Sequence, residues 1–437
     1  MSALDRALDT FRRLHPRKID LGLGRVERVL AALGHPERRL PPAIHVAGTN
    51  GKGSTVALMR AMLEASGATV HVYSSPHLVR FNERIVVAGE AIGDDALIDV
   101  LERTAEANAD EPLSFFEATT AAAFLAFSET SADYALIEVG LGGRYDATNV
   151  FTPVLSAITP IDFDHAEFLG RDLAGIAREK AGIVKPGVPV LTGPQHEIAH
   201  AVIAAEAERQ GAPLQRWGGH FRSYRQHGRL VYEAERELLD LPLPALHGEH
   251  QITNAGLAIA AMRRLGLSPD AIAAGLGAVH WPARMQALTH GPLVDIAREA
   301  RAEVWLDGGH NPHAARAVAA HMGQLETRDS RPLVLLMGIL ANKDAGGFLD
   351  YFEGLASGLV AVDIPGHAGL SPDILCELAA NRGLATVTGN NLTDAMQKAV
   401  NMGEALSRQT VEQPLIAPRV LICGSLYLAG EVLAQNG

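Results

Sequence analysis

One segment, IHVAGTNGKGSTVALMRAML at residues 44–63, constrains the fold of this chain more than any other. An apolar run is followed by a glycine-rich stretch and then by apolar positions three and four residues apart, which predicts a strand, a tight turn and a helix. Such a turn directs backbone N–H groups and a helix N-terminus at an anion, so the segment predicts a phosphate-binding loop. A glycine-rich turn with an incidental lysine is the alternative interpretation.

This loop departs from the common nucleotide-binding pattern G-x-x-x-x-G-K-[ST]. Gly48 lies only three residues before the second glycine, and Lys52 is followed by Gly53 and not by a hydroxyl residue. Lys52 still offers a positive charge to phosphates, and Ser54 or Thr55 offers a hydroxyl ligand to Mg²⁺. The loop is therefore either a degenerate nucleotide loop or a different loop with its own chemistry.

The rest of the chain alternates short apolar runs with longer helical patterns, which favours βαβ units and a largely parallel sheet. Strands are predicted in TVHVYSS, YALIEVG, VLSAIT and VPVLTG, and antiparallel strands in the polar-interleaved run after Gly211, which begins at LQRW. A second α/β rhythm has predicted strands in AEVWLDGG, PLVLLMGIL, LVAVDIPG and RVLICGS. We expect an α/β protein of two domains, 1–286 and 287–437, joined within the breaker-rich segment HWPARMQALTHGP.

Composition argues against several classes of protein. The net charge of −12, from 38 Lys and Arg against 50 Asp and Glu, argues against a protein that wraps nucleic acid. Cys376 and Cys423 are too few and too far apart for a disulfide framework or a zinc ribbon, so we expect a reducing compartment. No apolar run is long enough to cross a bilayer, and the first residues have no signal-peptide core. We expect a cytoplasmic protein without a membrane or nucleic-acid partner.

A carboxylate in an apolar strand is a second candidate. Glu138 lies within the apolar run YALIEVG, where an unpaired charge would be costly to bury. We expect Glu138 near the carboxyl end of its strand, where open parallel sheets bind ligands, and a carboxylate there suits Mg²⁺ held together with substrate phosphates. The alternative is a structural ion pair with a nearby arginine such as Arg144.

Other charged motifs allow more than one interpretation. TPIDFDHAEFLG places Asp162, Asp164 and His165 after a strand, and the histidine is a metal ligand, a phosphate contact or a solvated loop residue. Lys180 and Lys185 lie near a helix end, where lysines commonly complement the helix dipole.

Two histidine pairs, His247/His250 and His310/His313, each have a spacing of three residues. That spacing suits a metal only when both side chains face one site. No cysteines or carboxylates are arranged around the pairs, so contacts with a substrate or a nucleotide are favoured.

Together these motifs resemble the folylpolyglutamate synthase/dihydrofolate synthase family, part of the Mur-ligase superfamily of ATP-dependent amide ligases. The matching stretches occur in the family's order and span nearly the whole chain: HVAGTNGKGS, SSPHLVRFNERI, FFEATT, EVGLGGRYDATN, ITPIDFDHAEFLG, EKAGIVKPG, HGEHQITNA, DGGHNP and CGSLYLAGE. In that family the short loop ending in G-K-G-S is the normal form. The segment LHPRKIDLGLGRVERVLAALG resembles that of bacterial members with both activities, which favours a bifunctional enzyme.

The resemblance implies a large N-terminal P-loop-type ATPase domain with a largely parallel sheet and a smaller C-terminal Rossmann-like α/β domain. It also implies an active site in the cleft between them. The residues that would hold ATP are Gly48, Thr49, Asn50, Gly51, Lys52, Gly53, Ser54, Asn254, Arg284, Asp307 and His310.

The resemblance further implies two Mg²⁺ sites and a set of substrate contacts. The Mg²⁺ ligands would be Ser54, Ser75, Glu138 and His165. Lys180 matches a lysine that is often carbamylated in the superfamily, and with Lys52, Glu138 and His165 it would be catalytic. The substrate-binding positions would be Arg80, Asn82, Phe116, Glu117, Arg144 and Asp146.

The implied reaction joins L-glutamate to dihydropteroate, forming dihydrofolate, and to tetrahydrofolate polyglutamates. It passes through an acyl phosphate and releases ADP and phosphate, and the enzyme is expected to be a monomer. The alternatives are a monofunctional folylpolyglutamate synthase, a Mur ligase for cell-wall precursors and a P-loop nucleotide switch. Two positions depart from the family pattern: Ala283 replaces the glycine of P-G-R, and Gly309 replaces the alanine of D-G-A-H-N.

Overall fold

The glycine-rich segment forms the predicted strand, turn and helix. The structure, a computed structural model, describes residues 3–14, 22–164, 170, 172–410 and 416–436. The strand Ala43–Ala47 is buried along its whole length, and the helix Lys52–Ala65 follows it after a four-residue turn, residues 48–51. Gly67 has φ +87°, the left-handed conformation that glycine adopts readily after a helix.

The chain folds as two compact units. One consists of Met1–Ala245 with Gln251–His280, and the other of Leu246–His250 with Trp281–Gly437. The predicted boundary after residue 286 differs from this division over residues 246–250 and 281–286. Gln286 begins a strand that pairs with the first long strand of the second unit, which explains the difference over 281–286.

Within the described residues, the first unit contains an eight-stranded sheet. Its strands are β1 (Ala43–Ala47), β2 (Val70–Tyr73), β3 (Ile85–Val87), β4 (Glu90–Ala91), β5 (Tyr134–Glu138), β6 (Leu155–Ile158), β7 (Val190–Thr192) and β8 (Leu214–Arg216). Their order is β4-β3-β2-β5-β1-β6-β7-β8. The pairs β2–β3 and β3–β4 are antiparallel, and the other pairs are parallel. The predicted largely parallel sheet is confirmed.

The helices of this unit alternate with its strands. They are α1 (Ala3–Leu14), α2 (Gly24–Ala32), α3 (Lys52–Ala65), α4 (Asp94–Asn108), α5 (Phe115–Glu129), α6 (Leu173–Ala181), α7 (Glu197–Arg209), α8 (Glu249–Arg264) and α9 (Pro269–Ala278). One apolar core joins α1, α2, α4 and α5 to the sheet, and a second joins α6 and α7 to β6 and β7. Gly275 lets α9 approach α3 closely, since a Cβ there would lie 2.5 Å from the backbone of Met62.

The region after Gly211 differs in part from its prediction. Antiparallel strands are present as β9 (Phe221–Gln226), β10 (Arg229–Ala234) and β11 (Glu237–Leu241). Leu214–Arg216, however, joins the large sheet parallel to β7. A helix precedes this strand, and a strand–helix–strand crossover returns the chain parallel to the strand before it.

The second unit contains a six-stranded sheet within the described residues. Its strands are β12 (Gln286–Leu288), β13 (Glu303–Leu306), β14 (Leu333–Met337), β15 (Gly358–Val362), β16 (Ala385–Gly389) and β17 (Arg419–Cys423). Their order is β12-β13-β17-β14-β15-β16, and all but β12 run parallel. The predicted second α/β domain is confirmed.

The helices of the second unit follow its strands. They are α10 (Pro292–Glu299), α11 (Pro312–Arg328), α12 (Ala345–Leu349), α13 (Pro372–Ala380), α14 (Leu392–Thr410) and α15 (Leu426–Asn436). Asn311 caps α11, because its side chain accepts a hydrogen bond from the N–H of Ala314 at 2.8 Å. Among the described residues, no helix combines the length and apolar character needed to cross a bilayer.

Candidate active site

Neighbouring parallel strands end at one edge of the large sheet, and predicted site residues follow them. β1 leads into the glycine-rich loop, Glu138 is the last residue of β5, and β6 precedes Asp162 and Asp164. Because β5, β1 and β6 are adjacent and parallel, these segments meet at one edge, where open sheets of this kind bind ligands. The predicted position of Glu138 at the end of its strand is confirmed, and its side chain is buried.

The short form of the loop depends on two glycines. Gly48 has φ +146°, and a Cβ there would lie 1.8 Å from Oγ1 of Thr159. Gly51 has φ +86° and precedes α3, and a Cβ there would lie 2.5 Å from Oδ1 of Asn254. Neither position accepts a side chain without rearrangement, because both the backbone conformation and the surrounding space require glycine.

Two lysines converge on this loop. Nζ of Lys52 donates to the carbonyl oxygens of Gly48 and Thr49, both at 3.3 Å. Nζ of Lys180, from α6, donates to the same Gly48 oxygen at 2.8 Å. Burial, and then the charge of Lys52, lower the pKa of Lys180 to about 7. The amine of Lys180 is therefore buried against the glycine-rich loop. Its place near a helix end had suggested an ordinary lysine that complements the helix dipole.

Thr49 joins the glycine-rich loop to the segment after β6. Its Oγ1 donates to the carbonyl of Asp162 at 2.9 Å and accepts from the N–H of Asp162 at 3.0 Å. Gln195 supports the same segment, because its side chain accepts from the N–H of Ile161 at 3.1 Å and donates to the carbonyl of Thr159 at 3.0 Å. The two side chains together fix the segment that leads to Asp164.

A buried amide network supports the start of α3. The hydroxyl of Ser54 accepts from Nε2 of Gln251 at 3.3 Å, and Nδ2 of Asn254 donates to Oε1 of Gln251 at 3.0 Å. Ser54 and Gln251 are almost fully buried. The motif HGEHQITNA thus contributes the amides of Gln251 and Asn254 to this network.

A small cavity lies between the glycine-rich loop and the segment after β5. Its lining residues include both lysines, one carboxylate and three glycines. The lining residues are Gly48, Thr49, Lys52, Val139, Gly140, Leu141, Gly142, Asp164 and Lys180. A cavity lined by two lysines and a glycine-rich turn suits an anionic ligand.

The carboxylate of Asp146 organises the segment 140–149 that forms one wall. It accepts from the N–H of Leu141 at 2.8 Å and from the N–H and hydroxyl of Thr148 at 3.0 and 2.5 Å. Burial raises the pKa of Asp146, and these hydrogen bonds oppose the rise. The guanidinium of Arg144 forms an ion pair with Glu206 at 3.7 Å. This pair differs from the Glu138–Arg144 ion pair that the sequence offered as an alternative.

Several predicted substrate residues have structural partners. Arg80 pairs with Asp94 at 2.8 Å, and Nδ2 of Asn82 donates to the same carboxylate at 2.8 Å. Glu117 is buried, and its carboxylate accepts from Nε of Arg25 at 3.1 Å. These side chains hold the segments that carry them.

Phe116 lies directly beside the cavity wall. A Cβ at Gly140 would lie 2.4 Å from Cζ of Phe116, so the glycine allows the ring to pack against the wall. The ring centroid of Tyr73 lies 6.0 Å from that of Phe116. Ser75, two residues after β2, is partly exposed.

The predicted ATP residues of the second unit form their own cluster. The buried carboxylate of Asp307 accepts from the N–H of Met285 at 2.8 Å and from that of Gly309 at 2.7 Å. Burial raises the pKa of Asp307, and the charge of Arg284 opposes the rise. Nδ1 of His310 lies 3.0 Å from the carbonyl oxygen of Gly308.

Both departures from the family pattern lie in this cluster. Ala283 has φ +55°, a conformation that glycine adopts without strain and alanine adopts at a cost of about 1 kcal/mol. A Cβ at Gly309 would lie 2.8 Å from Oδ1 of Asp307, so here the carboxylate occupies space that the family's alanine methyl would need.

The candidate histidines within the described residues are not among those that line this cavity, whereas Lys52 and Lys180 are. His165 lies outside the described residues. The ring of His247 lies 5.6 Å from that of Trp305 and 6.1 Å from that of His321, and burial lowers the pKa of His250 to about 4. In the part of the chain that the structure describes, no group of three or more His, Cys, Asp or Glu could hold a metal ion.

Three polar residues that support the site were not predicted from the sequence. Gln195 and Gln251 support the loops through side-chain hydrogen bonds. His45 is fully buried in β1 and contacts Thr148. A polar residue within an apolar strand or helix was the available signal for His45 and Gln251, whereas Gln195 lies in an ordinary loop sequence.

Family profiles and known proteins match nearly the whole chain. A profile described as Mur ligase middle domain matches residues 46–262, and one described as Dihydrofolate synthetase, C-terminal domain matches residues 293–435. The folylpolyglutamate synthase of Lacticaseibacillus casei is 36% identical over 427 residues, which cover 93% of this chain and 92% of that protein. The chain belongs to the folylpolyglutamate synthase/dihydrofolate synthase family.

Further members of the family agree in sequence and in fold. The dihydrofolate synthase/folylpolyglutamate synthase of Escherichia coli is 34% identical over 96% of this chain and 92% of that protein. A structure of E. coli FolC in complex with DHPP and ADP has a TM-score of 0.85 at 31% identity, covering 99% of this chain and 97% of that chain. A bifunctional folylpolyglutamate synthase/dihydrofolate synthase with Mn, AMPPNP and L-glutamate bound has a TM-score of 0.82 at 30% identity, covering 99% and 98%. The predicted family and fold class are confirmed.

Proposed function

We propose that this chain is a bifunctional ligase that uses ATP to join L-glutamate to dihydropteroate, forming dihydrofolate, and to tetrahydrofolate polyglutamates. The observation that carries the proposal is the convergence of Lys52 and Lys180 on the Gly48 carbonyl, at the sheet edge where Glu138 ends its strand. Relatives that bind DHPP with ADP, and AMPPNP with L-glutamate, support these substrate classes.

The reaction has two steps. A carboxylate oxygen of the acceptor attacks the γ-phosphorus of ATP, forming an acyl phosphate and releasing ADP. The amine of L-glutamate then attacks the acyl carbon, so that a C–N bond forms, phosphate leaves and the nitrogen loses a proton. A free carboxylate is a poor acylating agent, and phosphorylation supplies the leaving group.

The residues of the first unit suit the first step, which joins two anions. The loop N–H groups and the start of α3 would bind the triphosphate, and Lys52 would offset the repulsion between carboxylate and phosphate. The buried walls of the cavity would exclude water from the acyl phosphate.

The available donors fit Mg²⁺. Ser54 and Glu138 offer oxygen ligands and are 2% and 4% exposed. Ser54 lies in the first turn of α3, after β1, and Glu138 ends the adjacent strand β5. Ser75 follows β2 on the other side of β5. Mg²⁺ takes few protein carboxylates and keeps waters and substrate phosphates as its other ligands. When bound, it neutralises phosphate charge. We propose two ions, held by Ser54, Ser75, Glu138 and His165.

We propose in addition that Lys180 is carbamylated. Its lowered pKa, about 7, makes the neutral amine available near neutral pH, and a neutral amine attacks CO₂ to give a carbamate and one proton. The product is an anion beside the ammonium of Lys52. Electron density in crystals of the active, metal-bound protein is the test, and an unmodified lysine there would contradict the modification.

We retain the remaining site assignments as proposals. Asn254, Arg284, Asp307 and His310 would contact ATP. Among the substrate positions, Phe116 would contact the acceptor directly. The others would act by holding their segments, since Arg80, Asn82, Glu117, Arg144 and Asp146 have structural partners.

ADP release is the decisive assay. A bifunctional ligase releases ADP only with L-glutamate plus dihydropteroate and, separately, with L-glutamate plus tetrahydrofolate. ADP release with L-glutamate plus tetrahydrofolate, but not with L-glutamate plus dihydropteroate, would indicate the monofunctional enzyme. ADP release without either acceptor would support a nucleotide switch, and activity only on a cell-wall precursor would support a Mur ligase. Size-exclusion chromatography with light scattering tests the expected monomer.

A further inference from the structure

A buried polar chain connects the middle of β1 to the wall of the cavity. His45 is the third residue of β1 and is fully buried. Its Nε2 lies 2.9 Å from Oγ1 of Thr148, and Oγ1 of Thr148 donates to Oδ1 of Asp146 at 2.5 Å. Asp146 in turn accepts from the N–H of Leu141, a lining residue of the cavity.

The direction of these hydrogen bonds fixes the tautomer of His45. The hydroxyl of Thr148 has one hydrogen, and it is given to the carboxylate of Asp146. Oγ1 can then only accept, so Nε2 of His45 carries the proton. Nδ1 is left as a buried acceptor, and within the described residues it has no hydrogen-bond partner.

A structural role alone does not account for a histidine at this position. An unpaired buried acceptor costs about 1–3 kcal/mol, and an aliphatic residue in the same strand would avoid that cost. Burial, and then the charge of Lys185, lower the pKa of His45 to about 3, so the ring stays neutral and keeps its Nε2 proton for Thr148. His45 is thus unfavourable for stability, and its hydrogen bond to Thr148 links it to the segment 140–149.

We propose that His45 is a positioning residue for catalysis: through Thr148 and Asp146 it holds the segment 140–143 of the cavity wall in place for acyl transfer. The inference rests on the proposed function, because that wall faces the cavity where the acyl phosphate would form. In this series of hydrogen bonds, Thr148 connects His45 to Asp146, and Asp146 binds the wall at Leu141.

Two measurements on the full-length protein test the proposal. The first is hydrogen–deuterium exchange of the segment 140–148, which needs no substrate. His45→Leu removes the donor, and Thr148→Val removes the hydroxyl at nearly constant volume. Each should speed exchange of this segment about fivefold, the effect of one lost hydrogen bond. Unchanged exchange in the folded variants would overturn the proposal.

The second measurement is steady-state kinetics of ADP release. We expect kcat to fall about tenfold to hundredfold while KM for ATP stays within about twofold, since the wall is displaced and the glycine-rich loop is not. His45→Gln and Thr148→Ser keep the donor and the hydroxyl, and both should restore most of kcat. Unchanged kcat in His45→Leu would also overturn the proposal.

His71→Leu is the matched control. His71 is buried in β2, which is separated from β1 by β5, and its ring nitrogens bond to the carbonyl of Thr130 and the N–H of Ala88 instead. This variant should lower the melting temperature without faster exchange at 140–148. If it speeds exchange there equally, the effect of His45→Leu is general destabilisation and the proposal is wrong. A wild-type protein without ligase activity would overturn the proposed function, whereas the exchange result would still decide whether His45 holds the wall.

Discussion

Lys52 and Lys180 share one acceptor, the carbonyl oxygen of Gly48, at 3.3 and 2.8 Å. Two ammonium groups on one oxygen repel each other, and the more deeply buried one is the easier to deprotonate. Burial first, and then the charge of Lys52, lower the pKa of Lys180 to about 7. The site therefore pairs a phosphate-binding ammonium with an amine that readily loses its proton.

Replacing Lys52 by alanine should nearly abolish ADP release while the protein stays folded. Within the described residues, the ammonium of Lys52 donates to carbonyls of its own loop, so little folding free energy depends on it. Loss of a charge aimed at the transferred phosphate costs about 10²- to 10³-fold in kcat. Steady-state assays and circular dichroism measure the two effects. Full activity in Lys52→Ala would refute the assignment of the loop.

Replacing Lys180 by methionine should abolish turnover but raise thermal stability at low pH. The folded chain protonates Lys180 only below about pH 7, whereas the unfolded chain does so below 10.5. The unfolded state binds more protons between these values, so wild-type stability rises with pH across that window. Methionine carries no such penalty, and the gain in melting temperature should be largest near pH 6 and shrink toward pH 10.

Calorimetry in CO₂-depleted buffer measures this difference, because a carbamate would itself change the charge of Lys180. A gain that is the same at both ends of the pH window would show that the pKa of Lys180 is not lowered in the folded protein.

Local patterns predicted the elements, because they depend on neighbours in the chain. The strand and helix around Gly48 and the place of Glu138 at a strand end follow from spacing and residue type. The direction of Leu214–Arg216 did not follow, since parallel pairing depends on the helix that precedes it.

Contacts between distant segments required the structure. Thr49 and Asp162 are 113 residues apart in sequence, and nothing in either motif indicates their paired hydrogen bonds. Asp146 illustrates a different limit. The resemblance assigns it to substrate, while its carboxylate is engaged by Leu141 and Thr148. A motif identifies which residues matter to a family but not whether each acts on the ligand or on the fold.

Replacing Thr49 by valine should lower kcat about tenfold, because the glycine-rich loop loses its link to the segment that carries Asp164. Thr49→Ser keeps the hydroxyl and should remain within about twofold of the wild-type kcat. Both variants are assayed by ADP release at saturating ATP, together with melting temperature. Equal loss in the serine and valine variants would show that the methyl group, and not the hydroxyl, is what the site needs.

Thr192→Val provides the control for removal of a buried hydroxyl. Thr192 lies in β7 of the same sheet, and its Oγ1 has no hydrogen-bond partner within the described residues. Its replacement should leave kcat unchanged and keep or raise the melting temperature. A drop in kcat there as large as that of Thr49→Val would remove the basis for a specific role of Thr49.

Replacing His321 by phenylalanine should stabilise the protein, and more so in acid. The ring packs between those of His247 and Trp305, and within the described residues neither of its buried nitrogens has a hydrogen-bond partner. Burial, and then the neighbouring positive charges, lower its pKa to about 4, whereas the unfolded chain binds a proton below 6.5. Wild-type stability contributed by this neutral ring is therefore lost as pH falls from 6.5 to about 4. Urea denaturation at about pH 8 and about pH 5 should show a larger gain for His321→Phe in acid. An equal gain at both pH values would mean that His321 titrates normally in the folded chain.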